Sequence, residues 1–253
     1  MFNLLAPGNL FSAEAWADAW EIVLSEFPAA IWDTLWVTFL STLFAFVIGL
    51  PLGILLACGD RDGIIPLPRW LKALLGFLIN ILRSVPFTIL MIVVLPLSRA
   101  IVGTTVGTTA SVVPLVVAAF PFVARVVESS VREVNPNLVE AAESMGATPF
   151  QIVVKVLIPE SVPSLISNVA LTLTNVLGYT AMSGAIGGDG LGRIAYNYGY
   201  IRYQSPVLLL SVLLLILLVQ VIQSLGSFLS ARFDRRLKRP VGGRRKKRAA
   251  AGE

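Results

Sequence analysis

Two long apolar runs dominate the hydrophobic pattern of this chain, since no charged residue occurs from Thr34 to Gly59 or from Val207 to Leu229. Each exceeds the roughly 20 residues that a helix needs to cross a ~30 Å hydrocarbon layer. Weaker runs complete an expectation of five transmembrane helices, at about 34–59, 75–97, 105–127, 164–186 and 207–229. The predicted fold class is an all-α polytopic membrane protein, with residues 34–229 as its transmembrane domain. Residues 1–33 form a separate external segment in this reading. There Ser12 can cap a helix whose Trp16, Trp20, Val23, Leu24, Phe27 and Ile31 recur at helical spacing opposite Glu14, Asp18, Glu21 and Glu26. That pattern predicts an amphipathic helix lying at the outer membrane interface. Residues 230–253 form a basic tail.

The third and fourth spans are separated by a polar interlude, 135–159, that is too well patterned for a plain connector. Leu138, Ala141, Ala142 and Met145 fall at i, i+3, i+4 and i+7, which places them on one slim apolar helical face, with Glu140 and Glu143 elsewhere. Asn137 with Glu140, or Asn135 with Pro136, can start this helix, and Gly146 stops it. A second helix restarts with Thr148 as cap, Pro149 at the first position and Gln151 bonding back, and Pro159 is expected to close it. Two short helices meeting at a glycine make a knob suited to a cleft on another protein; a cytosolic loop resting on the membrane fits the same pattern.

Other polar residues interrupt the spans. Pro86 disfavours helical geometry at Val85, so a bend is expected within the second span. Arg83 and Ser84 precede that bend, and an intramembrane arginine marks either a wet pathway or an interfacial anchor. In the fourth span Asn168, Thr172, Asn175, Tyr179 and Ser183 stack on one face. Such a stripe lines a water-filled path or glues helices by hydrogen bonds; its length favours the path. The glycine-rich run Gly187 to Gly192, with tyrosines after it, reads as a mobile external gate. Its Gly190-x-Gly192-x-x-Ala195 imitates a dinucleotide fingerprint, but no strand precedes it.

Composition narrows the function classes. With 56% hydrophobic and 14% charged residues and a mean hydropathy of +0.80, the chain is far from an ordinary soluble domain. If the N-terminus is outside and the C-terminus cytoplasmic, 16 of the 20 Lys and Arg residues fall in inner segments. The interlude 135–159 then faces the cytosol. The absence of histidine and the presence of one cysteine, Cys58, speak against a metal or hydrolytic centre and exclude an internal disulfide. There is no G-x-x-x-x-G-K-[ST] phosphate loop, so the chain does not supply ATP chemistry by that route. The basic run Arg244 to Arg248 suits anionic membrane lipid better than nucleic acid. Five helices enclose little, and a second copy would complete a central path.

These residues carry a resemblance. Glu140-Ala141-Ala142, Gly146 and the ending Val156-x-Ile158-Pro159 resemble the loop by which permease subunits of bacterial ABC importers engage their ATPase. Arg83-Ser84-Val85-Pro86-Phe87 is similar to a segment of amino-acid importer permeases, and the run from Gly184 to Tyr203 is similar to one found in methionine-importer permeases. From Thr34 to Leu229 the chain resembles the permease of methionine-type ABC importers. The resemblance implies a non-enzymatic homodimeric permease in the bacterial inner membrane that admits methionine, D-methionine or derivatives included. It also implies two cytosolic ATPase subunits that use ATP and Mg, an extracytoplasmic substrate-binding lipoprotein, and no cofactor bound by this chain. Coupling then falls to Leu138, Glu140, Ala141, Ala142, Met145 and Gly146, and the pathway to Arg83, Ser84, Asn168, Thr172, Asn175 and Tyr179. The rival readings are an importer permease for another amino acid or small peptide, and a membrane scaffold that recruits a cytosolic partner.

Overall fold

The computed structural model describes residues 12–60 and 63–233, which are helical with no strand among them. The basic run Arg244 to Arg248 lies outside the described residues. In chain order the helices are α1 (Ala13–Cys58), α2 (Arg69–Ser84), α3 (Phe87–Val102), α4 (Thr108–Arg132), α5 (Pro136–Ser144), α6 (Pro149–Ile152), α7 (Ile158–Ser183), α8 (Leu191–Ile194) and α9 (Ser205–Phe233). Four continuous helical stretches are long and apolar enough to cross a membrane, and a fifth span exists only if α2 and α3 count together.

The first correction concerns α1, which runs unbroken for 46 residues, across the expected boundary at residue 33. Ser12 caps it, its side chain accepting a hydrogen bond from the Ala15 amide at 3.3 Å. Pro28, Gly49, Pro51 and Gly53 lie inside the helix without ending it, and it stops only at Gly59. The amphipathic part does not simply lie on an interface, because Ala19, Phe27 and Ala30 are buried against Leu191, Ile194 and Val207. Trp16, Trp20, Trp32 and Trp36 stay exposed.

Deeper in α1 a run of the buried residues is small: Thr38, Ser41, Thr42, Ala45, Gly49 and Gly53. Their spacing makes a groove into which α4 fits. A Cβ at Gly49 would lie 2.7 Å from Val123 Cβ, and one at Gly53 would lie 2.5 Å from the Ala124 carbonyl oxygen. Small residues four apart permit this close backbone approach in a medium where lipid supplies no hydrophobic force between helices. Around α4 are gathered α1, α2, α3 and α7.

The expected bend of the second span is a full break. Val85 is extended, at φ −80 and ψ 128, because Pro86 excludes helical geometry there. The helices on either side meet at 111°. Each has 16 residues, or roughly 24 Å, and is too short to cross alone.

A second correction concerns Pro159. It does not close the interlude: α6 passes through a π turn, Val153–Leu157, directly into α7, and the helical stretch from Pro149 to Ile186 is continuous. In the widened turn the Ile158 amide bonds to the Val153 carbonyl. That geometry accommodates the missing N–H and the bulk of the proline ring, which would break an ordinary α turn.

At the far end of α7 the glycine run is a packed turn in this structure. Gly187 and Gly190 adopt φ +101 and +93, which favours glycine. A Cβ at Gly192 would lie 2.4 Å from the Ala181 carbonyl oxygen. The Leu191 amide donates to Thr34 Oγ1 at 2.9 Å, and the Gly107 amide to the Gly187 carbonyl at 2.8 Å, so the turn ties α1, α4 and α7 together.

Gly53→Leu is expected to lower the thermal midpoint of the purified protein, costing about 1–3 kcal/mol through overpacking. Gly178→Ala, where a Cβ would meet nothing within 4 Å, leaves it unchanged. Equal midpoints in thermal unfolding would refute the close α1–α4 contact.

Candidate functional site

The interlude folds as two capped helices meeting at Gly146. Of the two possible starts the chain uses Asn135, whose Oδ1 accepts from the Asn137 amide at 3.0 Å, with Pro136 in the first turn. Gly146 has φ +77, and the Ala147 and Gly146 amides bond to the Ala142 and Glu143 carbonyls at 3.0 and 2.9 Å. This is a Schellman stop, which satisfies the last carbonyls of the helix. The Thr148 and Gln151 capping box is present, with bonds of 3.4 and 2.9 Å.

The rotation of α5 divides the expected apolar face. Ala142 is buried, and Val139 packs beside it, in the core formed with Val134, Ile152, Val153 and Leu157. Leu138, Ala141 and Met145 point outward, with Met145 81% exposed, and Glu140 and Glu143 are exposed as well. Ala142 therefore belongs to the internal packing and not to the free surface. The path of the chain out of α4 sets this rotation, and periodicity alone could not. Phe150, 76% exposed, joins the outward set. Sequence reading gave it no role.

Beside the knob a chain of charges spans three segments. Arg125 pairs with Glu128 at 2.8 Å and also donates to Asn80 Oδ1 at 3.1 Å. Arg132 bridges Glu128 at 3.3 Å and Asp60 at 3.2 Å, and donates to the Leu56 carbonyl at 3.2 Å. Lys72 completes the chain on Asp60. The Lys72 hydrogen bond, together with the Lys72 and Arg132 charges, holds the Asp60 carboxyl below its usual range. A lowered folded-state pKa means that this contribution is present at neutral pH and is lost as pH falls through the lowered value. The partners lie up to 72 residues apart in the chain, which hid the network from sequence reading.

The residues expected to line a pathway make separate contacts in this structure. Asn168 Nδ2 donates to the Val126 carbonyl at 3.2 Å and to Ser130 Oγ at 2.7 Å, joining α7 to α4. Thr172 is buried and donates to the Asn168 carbonyl at 2.7 Å. The Tyr179 ring stacks on Phe87, with centroids 4.7 Å apart. Buried Ser183 donates to the Thr180 carbonyl at 2.8 Å. Helix packing thus occupies most of the stripe, because Asn168, Thr172, Tyr179 and Ser183 find partners inside the monomer. Half-buried Asn175 makes no hydrogen bond among the described residues. Arg83 and Ser84 are exposed at the α2–α3 break, where Ser84 donates to the Asn80 carbonyl at 2.7 Å, and no hydrogen bond joins either to the stripe. No group of His, Cys, Asp and Glu able to hold a metal ion occurs among the described residues.

A family model described as "Binding-protein-dependent transport system inner membrane component" matches residues 49–239. The chain is 47% identical over 208 residues to the probable D-methionine transport system permease protein MetI of Vibrio cholerae serotype O1, covering 82% of this chain and 92% of that protein. It is 46% identical over 217 residues to the protein of the same name from Pasteurella multocida, covering 86% and 98%. Among solved structures, an inward-facing conformation of the MetNI methionine ABC transporter matches with a TM-score of 0.83 at 44% identity, covering 85% of this chain and 99% of that one.

The divided face of α5 makes two neighbouring alanines unequal. Ala142→Trp is expected to destabilise the isolated protein by about 1–3 kcal/mol, as overpacking does, whereas Ala141→Trp leaves its thermal midpoint within experimental scatter. A reversed order of midpoints would show that the rotation of α5 is misassigned.

Proposed function

Because the chain belongs to the family of binding-protein-dependent transport system inner membrane components, we propose that it forms the translocation pathway of an ATP-driven importer of methionine, including the D-isomer. It is a permease subunit, and ATP hydrolysis in such a transporter lies in a separate subunit. The names of its relatives support the cargo.

The observation that carries the mechanism is the outward face of the knob, Leu138, Ala141, Met145 and Phe150, with Glu140 and Glu143 at its edge. An exposed apolar patch on a doubly capped helix suits the groove of a partner subunit. In this reading the partner is a pair of cytosolic ATPases, the permease is a dimer, and a substrate-binding protein delivers methionine from outside. The N-terminus then lies outside, and the charge chain from Lys72 to Arg125 lies at the cytosolic surface, consistent with the distribution of Lys and Arg. When ATP closes the ATPase pair, α5 shifts. The displacement passes to α4 through Val134 and Asn135, and to α7 through the unbroken helical run from α6. The membrane helices follow because α5 packs against α6 and against the π turn that leads into α7. ATP must favour one of two arrangements for this to do work, since a ligand shifts an equilibrium only by its differential affinity for the states.

Met145→Asp and Ala141→Trp are expected to abolish co-purification of the ATPase and to reduce ATP-driven uptake of labelled methionine in proteoliposomes by about tenfold or more, as loss of a central interface anchor does. Both should leave the permease inserted and monodisperse. Normal co-purification with normal uptake would sink the docking role. ATP hydrolysis without methionine uptake would keep the importer and discard the cargo.

A further inference from the structure

A cavity of ≈ 350 Å³ opens at the glycine-turn end of the molecule, between α1 and the π turn Ala195–Ile201 that follows α8. Among its walls are Glu26 and Asp33 from α1, and Arg193, Asn197, Tyr198 and Arg202 from the other side. Tyr198 also packs against the cluster of Ala19, Phe27, Ala30 and Val207, while none of the six belongs to the coupling knob.

The walls are partly preorganised. The Tyr198 hydroxyl donates to Glu26, and the Arg202 guanidinium sits 4.4 Å from the centre of the Tyr198 ring. The hydrogen bond to Glu26 pushes the Tyr198 phenol above its ordinary pKa, so it remains a donor. Arg193 is held loosely by Asp189, at 3.4 Å. Asp33 is half-buried and makes no hydrogen bond or ion pair among the described residues. Two carboxylates of α1 thus line the same space as two guanidiniums, one of them shared with Asp189 outside the cavity wall, and its volume is at the small end of the range for ligand pockets.

We propose that this cavity binds a small zwitterion, with its ammonium group against Asp33 and Glu26 and its anionic group against Arg202 and Arg193. The charge balance carries the choice. A simple anion would sit beside two carboxylates and a simple cation beside two arginines, whereas a molecule carrying both charges satisfies each wall with charge-assisted hydrogen bonds. Two sources share this chemistry: a free α-amino acid, and the head group of phosphatidylethanolamine. Both can reach the site, because the stacked and exposed Trp32 and Trp36 mark this depth of α1 as the membrane interface. The inference rests on the proposed topology, which places this end outside.

The test uses the full complex with its ATPase in nanodiscs of phosphatidylglycerol, comparing wild type with Asp33→Asn and Arg202→Gln. Equilibrium binding of labelled methionine reads the free amino acid, and native mass spectrometry after addition of phosphatidylethanolamine reads the lipid. Both variants must keep the wild-type thermal midpoint and ATPase co-purification, and Arg202→Lys should retain most of the binding. The expected result is that one of the two ligands binds and that both variants weaken it by about tenfold or more. Methionine lost in the variants assigns the free amino acid; phosphatidylethanolamine lost in the variants assigns the lipid. Wild-type binding of both ligands in both variants overturns the proposal, as does no binding at all. Loss of stimulation by the binding protein without any zwitterion binding also overturns it, and makes the cavity a protein-docking surface. Uptake measured on the same preparations separates the two levels: absent uptake with retained binding removes the proposed transport function alone, and normal uptake without binding removes only this site.

Discussion

The structure depends on the close approach of α1 to α4 over Gly49 and Gly53. Any side chain at either glycine would strike Val123, Phe120, Ala124 or Val127. Association of helices inside lipid relies on van der Waals contact, since the surrounding tails are as apolar as the helix faces. Contact of this kind fades over fractions of an ångström. The small groove of α1 therefore fixes where α4 lies, and α4 fixes nearly everything else. Its Val126 carbonyl and Ser130 hydroxyl receive Asn168 of α7, its Arg125 reaches Asn80 of α2, and its C-terminal end leads into α5.

That arrangement makes the interlude a mechanical part of the bundle. One side of α5 is buried with residues of the core, including Val134 before it and Ile152 and Val153 after it. The Schellman stop at Gly146 and the capping box at Thr148 hold the angle between α5 and α6, and the π turn carries α6 into α7 without a joint. A force on the exposed face of α5 thus has few internal degrees of freedom in which to dissipate. The chain of ion pairs from Lys72 to Arg125 braces α2 and the end of α1 against the same end of α4. Exposed pairs contribute little each, so their effect lies in orienting these segments more than in stabilising the fold.

The polar stripe of α7 shows how one pattern fits two purposes, helix packing and the proposed pathway. Asn168 and Thr172 are satisfied inside the monomer, and Tyr179 has Phe87 beneath it, so most of the stripe takes part in helix packing. Asn175 alone of that set has an amide with no internal partner. Both uses need the same spacing of polar side chains along a helix, so spacing cannot separate them; only the position of α4 beside α7 does.

Local sequence settled the all-helical membrane class, the interruption at Pro86, the Thr148 start and the stop at Gly146, and left the start of α5 open between Asn135 and Asn137. Each depends on neighbours in the chain: hydrophobic length, the fixed φ of proline and the left-handed freedom of glycine act within a few residues. Tertiary structure decided three further matters. It turned Ala142 inward and Ala141 outward, because a helix has no preferred rotation until a neighbour buries one side. It carried α6 through Pro159, because a π turn could absorb the proline where packing favoured a continuous helix. It brought Glu26 and Asp33 to Arg193 and Arg202, across more than 150 residues of chain, because the glycine turn folds back onto α1 through the Leu191 bond to Thr34. Local rules cannot see such meetings, since their energy comes from surfaces that exist only after the helices have assembled.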